Sequence, residues 1–215
     1  DLLVISGYLK KEFNVKIIDA NTLNLNDSQT LELLKKEKPY GIVCSVGASS
    51  RKNDYSFIKK IREHFLDQKI VGIGGILYHN PTEELKNLRE LDACLLNYIS
   101  DDLTNYFLGI YENLSNIVYR KEKEIINTQK SYPAHGYKYQ IPNHADLPIN
   151  KYKLSHGKNF PITSVLTSFG CPAKCSFCVS GRIDFRFRDP DNVIEELDYI
   201  NQLGVKEVIF RDNVF

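Results

Sequence analysis

The stretch ITSVLTSFGCPAKCSFC, residues 162–178, decides how the rest of the chain is interpreted. Its first part, residues 162–168, is a short apolar run with β-branched side chains and predicts a buried β-strand. Three cysteines follow within eight residues, Cys171, Cys175 and Cys178, on a loop that begins with a glycine. The sequence therefore predicts a cysteine loop at the carboxyl end of a strand.

The residues after this loop predict a helix and a second strand. Asp189 and Pro190 suit the N-cap and the first position of a helix, and Gly204 suits its end. Residues 205–210 form another short apolar run typical of a strand. Because one and a half strand–helix units cannot cover a sheet or close a barrel, we expect the natural chain to continue beyond Phe215.

The spacing of the three thiols suits one face of a cubane iron–sulfur cluster. Such a cluster usually has four thiolate ligands, and no further cysteine follows Cys178. One iron would keep an open coordination position, which can bind a substrate or cofactor, as the open position of a catalytic zinc does. We therefore expect Cys171, Cys175 and Cys178 to be the metal ligands of a 4Fe-4S cluster that takes part in chemistry.

A structural zinc site is the alternative for the same three thiols, with His156 as a fourth ligand. Zinc knuckles, however, usually have two paired cysteine spacings and a compact local fold. Arg182, Arg186 and Arg188 lie close to the loop in sequence. They can either bind an anionic group of a cofactor or lie in solvent, and the sequence leaves both interpretations open.

Residues 1–113 alternate between β-rich runs and helical patterns, which is typical of a parallel sheet covered by helices. Strands are expected at residues 15–19, 41–46, 70–73 and 93–96. Helices are expected at residues 2–12, 27–36, 55–65, 81–91 and 103–111. Because the order has no opening strand, we expect one to precede Asp1 in a Rossmann-like, doubly wound α/β domain. Cys44 and Cys94 stand alone in apolar runs and are interpreted as small core residues.

Residues 114–160 show no sustained periodicity, and we interpret them as a linker or strap between the two folded parts. The front of this segment, residues 117–126, can form a small hairpin. Residues 132–158 are rich in proline and histidine and are expected to be irregular.

The CxxxCxxC motif, with Phe177 before its last cysteine and the run TSFGCP around its first, resembles the radical S-adenosylmethionine (SAM) superfamily. The resemblance implies that the open iron chelates SAM, that reduction releases a 5'-deoxyadenosyl radical, and that residues 161–215 begin a partial (β/α) barrel. It also implies that Asp212, Asn213 and Phe177 contact SAM, since barrel sites lie at the carboxyl ends of strands. Asn213 departs from the more usual second acid, and Asp212 can also be read as a loop carboxylate that ends a strand.

Residues 1–113 resemble the cobalamin-binding domain that precedes the barrel in a large radical SAM class. The resemblance rests on YLKK at 8–11, residues 15–21, the strand into residue 45, GIGG at 72–75 and DLP at 146–148. Ligands of open parallel sheets bind beyond the carboxyl ends of the strands. The expected cobalamin contacts are Ser45, Gly47, Gly74, Gly75 and Asn97. No histidine lies in an Asp-x-His-x-x-Gly pattern, so we predict no histidine ligand to cobalt, and LNYIS at 96–100 departs from the Gly-Glu-Gly of many relatives.

Composition excludes several classes of protein. Lys and Arg (28) nearly balance Asp and Glu (27), so a formal charge of +1 gives no field that would attract nucleic acid or anionic lipid. No apolar run approaches the roughly 18 residues of a membrane helix, and no export signal is apparent. We expect a cytoplasmic protein whose partners include neither nucleic acid nor membrane.

The leading hypothesis is a cobalamin-dependent radical SAM methyltransferase that acts on an unactivated carbon of a small-molecule or peptide substrate. Its expected cofactors are a 4Fe-4S cluster, SAM and cobalamin, and its electron donor a flavodoxin or ferredoxin. The alternatives are a radical SAM enzyme without cobalamin, performing cyclisation, rearrangement or oxidation, and a zinc-stabilised binding module. A methylthiotransferase would need three more cluster cysteines in residues 1–113, where only Cys44 and Cys94 occur. The fragment by itself is expected to be inactive.

Overall fold

The computed structural model describes residues 2–153, 157–178 and 180–214. Two compact units make up the chain: residues 1–14 with 25–132, and residues 15–24 with 133–215. The helices are α1 Leu2–Leu9, α2 Asp27–Glu37, α3 Arg51–His64, α4 Gly75–His79, α5 Pro81–Asn87, α6 Asp102–Leu108 and α7 Pro190–Gln202. The strands are β1 Gly41–Ser45, β2 Lys69–Ile73, β3 Ala93–Leu95, β4 Ile117–Lys121, β5 Glu124–Asn127, β6 Ile162–Val165, β7 Ser168–Phe169, β8 Arg186–Phe187 and β9 Glu207–Phe210.

The first unit contains a mixed five-stranded sheet in the order β1-β2-β3-β4-β5. Strands β1, β2 and β3 are parallel, and β4 and β5 are antiparallel to their neighbours. Ile70, Val71 and Ile73 of β2 are fully buried, because a parallel strand covered on both faces is apolar along its length instead of alternating. The predicted alternation of strands and helices is confirmed as an α/β architecture.

The predicted hairpin at residues 117–126 is confirmed as β4 and β5, but it belongs to the sheet. Strand β4 pairs with β3, and its first three residues, Ile117, Val118 and Tyr119, are buried. An apolar hairpin can cover the edge of β3 that would otherwise expose unpaired backbone groups. The sheet thus extends into the segment that was interpreted as a linker from residue 114.

The strand predicted at residues 15–19 is wrong: these residues form no strand and group with the second unit. Asp19 accepts hydrogen bonds from Thr22 N (2.9 Å) and Thr22 Oγ1 (3.0 Å), which closes a local turn. It also accepts one from the Tyr152 hydroxyl (2.7 Å). Local side-chain bonds of this kind compete with strand pairing, and β1 remains an edge strand of its sheet.

In the second unit, β6 and β9 form a parallel pair in register from Ile162–Glu207 to Val165–Phe210. Helix α7 connects them, and its Ile200 packs with Val165 and Val205. Asp189 caps this helix as predicted, because its side chain accepts hydrogen bonds from Asp191 N and Asn192 N.

The strand predicted at residues 162–168 is divided in two. Strand β6 ends at Val165, and β7 pairs antiparallel with β8 in a separate ladder. Within the described ranges, the second unit therefore shows a parallel pair and a short hairpin ladder, and no closed barrel. None of the helices among residues 2–153, 157–178 and 180–214 has the length and apolar character needed to cross a membrane.

Candidate functional site

The cysteine loop is closed at its base by the pairing of β7 with β8. Ser168 lies opposite Phe187, and Phe169 lies opposite Arg186. Gly170 begins the loop with φ +73°, and a Cβ there would lie 2.4 Å from the carbonyl oxygen of Ile183. Only glycine fits this position, because both the left-handed backbone and the close contact exclude a side chain. The two ends of the loop are therefore fixed next to each other.

The three thiols of the loop are free and accessible. Cys175 is exposed, and Cys171 and Cys178 are partly exposed. Hydrogen bonds from the backbone N–H groups of Ser180 and Gly181 lower the pKa of the Cys178 thiol. A lower pKa favours the thiolate, which is the form that binds metals.

The structure does not bring these thiols together into a ligand set. Among the residues described, no group of three or more His, Cys, Asp or Glu side chains is placed to hold one metal ion. His156, the fourth ligand of the zinc alternative, lies outside the described residues. The donor chemistry of three accessible thiols fits an iron–sulfur cluster, and a metal would have to draw them together as it binds.

Cys44 and Cys94 differ from the loop cysteines, as expected of core residues. Cys94 is fully buried, and Cys44 packs against the same apolar core. Burial raises the pKa of each thiol to about 12. Such thiols stay protonated at neutral pH and are poor metal ligands.

Asp212 stabilises the base of the cysteine loop through hydrogen bonds. Its carboxylate accepts hydrogen bonds from Thr167 N (2.7 Å), Thr167 Oγ1 (2.6 Å) and Ser168 N (2.8 Å). A carboxylate offers about four lone-pair positions, so most of its acceptor capacity is used inside the protein. The structure thus gives Asp212 a structural role at the end of β9.

Phe177 lies within the cysteine loop and Asn213 follows β9, and the two side chains have different surroundings. The Asn213 side chain accepts a hydrogen bond from Ser180 Oγ (3.1 Å) and donates one to the carbonyl oxygen of Gly170 (3.5 Å). The Phe177 side chain is 91% exposed. Asn213 is therefore bonded to Gly170, which begins the loop, and to Ser180, which lies after the last cysteine of the loop. The Phe177 ring is available for contact with another molecule.

Sequence reasoning missed a buried polar network beneath the loop. Arg188, interpreted as a solvent or cofactor-binding residue, is only 2% exposed and forms an ion pair of 2.6 Å with Glu196, which is 1% exposed. His144, which lies in the segment interpreted as a linker or strap, is fully buried, and its Nε2 lies 2.8 Å from Glu196 Oε1. One signal was present in the sequence: Asn192 and Glu196 are spaced four residues apart, which places them on the same side of helix α7.

Four of the five residues predicted to contact cobalamin lie at the carboxyl ends of β1 and β2. Ser45 ends β1 and is exposed, and Gly47 N donates a hydrogen bond to Asp54 Oδ2 (2.9 Å). Gly74 follows β2 with φ +130°, and a Cβ there would lie 2.1 Å from the carbonyl oxygen of Val46. A Cβ on Gly75 would meet nothing within 4 Å. This edge is thus closely packed at Gly74 and open at Gly75.

The fifth residue, Asn97, follows β3 and is buried. Its Nδ2 donates to the carbonyl oxygen of Ser131 (3.0 Å), and its Oδ1 accepts from Ile99 N (3.1 Å). Ser131 N in turn donates to Asn116 Oδ1 (2.7 Å). The Asn97 amide therefore holds the segment that follows β5 through its Nδ2 and its own loop through its Oδ1.

The chain is similar to curated proteins that are named for methyl transfer. It is 27% identical over 233 aligned positions to an uncharacterized methyltransferase of Pyrococcus horikoshii, covering 100% of this chain and 48% of that protein. It is 23% identical over 214 positions to an uncharacterized methyltransferase of Synechocystis sp., covering 97% of this chain and 34% of that protein. No protein-family model matches the chain.

A third relative transfers a methylthio group. The chain is 27% identical over 211 positions to the ribosomal protein uS12 methylthiotransferase RimO of Streptomyces griseus, covering 89% of this chain and 40% of that protein. The chain thus spans about half or less of the length of these relatives. Their names are those of enzymes that transfer methyl or methylthio groups.

Proposed function

We propose that the protein is a radical SAM enzyme whose 4Fe-4S cluster is held by Cys171, Cys175 and Cys178. The observation that carries the proposal is the closed loop base, which holds three free thiols on one loop after a parallel strand. Three thiolates leave one position of a cubane cluster without a protein ligand. When bound, such a cluster would supply the electron that cleaves SAM. In this proposal residues 161–215 begin a partial (β/α) barrel.

The residues near the loop have separate roles in this proposal. The exposed Phe177 ring contacts SAM, and the exposed Asn213 amide offers a further polar contact close to Ser180. Asp212 acts mainly by holding Thr167 and Ser168, while its negative charge favours a cationic amino group nearby. Asp212 is thus both a candidate SAM contact and a support of the loop.

We further propose methyl transfer to an unactivated carbon. In this proposal the first unit is a Rossmann-like, doubly wound domain that binds cobalamin. The proposed contacts are Ser45, Gly47, Gly74 and Gly75 at the carboxyl ends of β1 and β2. The empty space at Gly75 supports this, because a large flat ligand needs backbone that it can approach closely. Asn97, whose amide bonds to Ile99 and Ser131, contributes by holding its own segment and the segment that follows β5. The relatives named methyltransferases support methyl transfer as the reaction class.

The partners and surroundings follow from this chemistry. Reduction of the cluster needs an electron donor such as flavodoxin or ferredoxin, and the substrate is a small molecule or a peptide. We propose that the enzyme works in the cytoplasm, where neither nucleic acid nor membrane is a partner. The formal net charge of only +1 supports the absence of nucleic acid as a partner, because nucleic-acid binding depends largely on positive charge.

The experiment is reconstitution of the protein with iron and sulfide in the absence of oxygen. We expect about four iron atoms per chain, an electron paramagnetic resonance (EPR) signal after reduction, and a change in that signal when SAM is added. Cys178→Ala should lose most of the iron, whereas Cys94→Ala, a matched change of a core thiol, should keep it. Zinc without iron would overturn the proposal in favour of the zinc-stabilised module, with His156 as a candidate ligand.

Extraction of bound corrinoid tests the methyl-transfer step separately. A cluster that cleaves SAM in a protein without corrinoid would favour a radical SAM enzyme that performs cyclisation, rearrangement or oxidation. The relative that is a methylthiotransferase makes a second candidate function. Against it, the only cysteines of residues 1–113 are Cys44 and Cys94, whose pKa values of about 12 leave them protonated.

A further inference from the structure

We infer that Arg188 is a positioning residue, which fixes the base of the cysteine loop to helix α7. The inference rests on the proposed function, because it concerns the same loop. Arg188 directly follows β8, where the chain leaves the loop, and it also binds the backbone where the chain enters the loop.

Two consecutive carbonyl groups at the loop entrance are bound by Arg188. Its backbone N donates to the carbonyl oxygen of Thr167 (2.8 Å), and its Nη1 donates to that of Leu166 (2.8 Å). Asp212 accepts hydrogen bonds from the backbone N–H groups of Thr167 and Ser168. The entrance is thus held through its carbonyl oxygens by Arg188 and through its N–H groups by Asp212.

The other contacts of the Arg188 guanidinium reach α7 and the strap. It donates to Glu196 Oε2 (2.6 Å), to Asn192 O (2.8 Å) and to the Tyr139 hydroxyl (2.6 Å). It also lies 3.7 Å from the centre of the Tyr139 ring. A guanidinium has five donors in a fixed planar fork, whereas a lysine ammonium has three on one atom, so lysine cannot also keep the contacts that Nε and Nη2 make with Asn192.

Glu196 is itself oriented by two further groups. His144 Nε2 lies 2.8 Å from its Oε1, and the Tyr139 hydroxyl donates to its Oε2 (2.9 Å). Burial acts to raise the pKa of Glu196, but the hydrogen bond with His144 and the charge of Arg188 outweigh it and lower the pKa. The carboxylate opposite Arg188 therefore stays ionised at neutral pH.

A buried ion pair of this kind is better explained by the backbone position that it fixes than by a contribution to the free energy of unfolding. Replacing such a pair with well-packed apolar side chains is often neutral or stabilising. What an apolar side chain cannot do is bind the carbonyl oxygen of Leu166. The network thus sets where the strand ends and where Gly170 begins the loop that carries the thiols.

The test compares Arg188→Lys with Val205→Ala in the protein at its natural length. Lysine keeps the charge opposite Glu196 but loses the fork, and Val205→Ala weakens the same core without touching the loop base. Hydrogen–deuterium exchange of the metal-free protein should be at least about tenfold faster at residues 167–171 in Arg188→Lys. Val205→Ala should leave exchange at these amides unchanged, although both variants lower the melting temperature.

The reconstituted protein gives the second measurement. We expect Arg188→Lys to bind iron but to lose most of the SAM-induced change in the EPR signal, and Val205→Ala to keep it. Should Arg188→Lys fail to fold, Tyr139→Phe removes one hydroxyl from the network and should raise exchange at residues 167–171 by about threefold.

The inference would be wrong if Arg188→Lys matched the wild type in hydrogen exchange and in the SAM-induced EPR change. It would also be wrong if Val205→Ala changed these two quantities as much as Arg188→Lys does. If the wild type binds no iron, the proposed function fails, while the exchange measurement still tests the positioning role of Arg188.

Discussion

The carboxyl edge of the first sheet and the base of the cysteine loop are held in different ways. At the sheet edge, Gly74 follows β2 with a backbone that only glycine favours, and Val46 N bonds to the carbonyl oxygen of Ile73 (2.8 Å). At the loop base, side chains fix the position of the backbone, chiefly those of Arg188 and Asp212. The first region is fixed by the backbone and leaves open space, whereas the second is fixed by a buried polar network.

The comparison shows where each region is vulnerable. Backbone geometry tolerates many changes of neighbouring side chains and fails when a Cβ is added at one position. A buried network fails when any one partner is removed, because the remaining charge or donor is left without compensation. Substitutions that add atoms should damage the sheet edge, and substitutions that remove polar atoms should damage the loop base.

The largest effect is expected from Glu196→Leu. This change leaves the buried Arg188 charge without its partner, and breaking such a pair costs about 3–5 kcal/mol of unfolding free energy. Urea unfolding followed by circular dichroism measures the loss. Glu195→Leu is the matched control, because Glu195 is exposed on the same helix and accepts a hydrogen bond from Asn192 (3.3 Å) at the protein surface. A similar loss in both variants would show that the network does not hold this region.

The next largest effect is expected from Gly74→Ala at the sheet edge. A side chain in this backbone conformation costs on the order of 1–3 kcal/mol, and the new Cβ would also press on the carbonyl oxygen of Val46. Urea unfolding should show a loss of about 3 kcal/mol when strain and contact are taken together. Gly109→Ala shares a positive φ but meets no atom within 4 Å. Gly109→Ala separates the two causes, because it should lose only the part of the unfolding free energy that comes from backbone strain.

Much of the architecture could be predicted from local pattern. Strands β2 and β3 are short apolar runs between turn residues, and the cap at Asp189 follows from its own side chain. The strand predicted at residues 15–19 failed because Thr22 and Tyr152 bind Asp19, and Tyr152 is distant in sequence.

Of the candidate site, only the cysteine loop was predictable from the sequence. The spacing of the three thiols is a local property, and so is the Gly170 that starts their loop. Arg188 meets Tyr139 across 49 residues and Leu166 across 22. No periodicity predicts such contacts, so Arg188 was interpreted as either a cofactor-binding or a solvent-exposed residue, whereas it is buried.

A smaller loss is expected from Asp212→Ala at the loop base. Thr167 and Ser168 would each keep a backbone N–H without its acceptor, which costs about 1–3 kcal/mol where water cannot replace it. Reconstituted iron should also fall, because the entrance of the loop is held from one side only. Asp184→Ala is a suitable control, since Asp184 is exposed and pairs with Arg186 at the surface (3.2 Å). Unchanged iron and stability in Asp212→Ala would confine its role to contact with SAM.

The smallest effect on stability is expected from Gly75→Val, and this variant separates binding from folding at the sheet edge. The space around Gly75 is open, so we expect a change of no more than about 0.5 kcal/mol in unfolding free energy. The added side chain would nevertheless occupy the space through which a large flat ligand reaches the backbone. If cobalamin binds there, corrinoid recovered from the purified protein should fall several-fold while the melting temperature stays constant. Gly74 cannot serve in this test, because its substitution damages the fold whether or not a ligand binds. Full corrinoid occupancy in a stable Gly75→Val protein would place the ligand elsewhere.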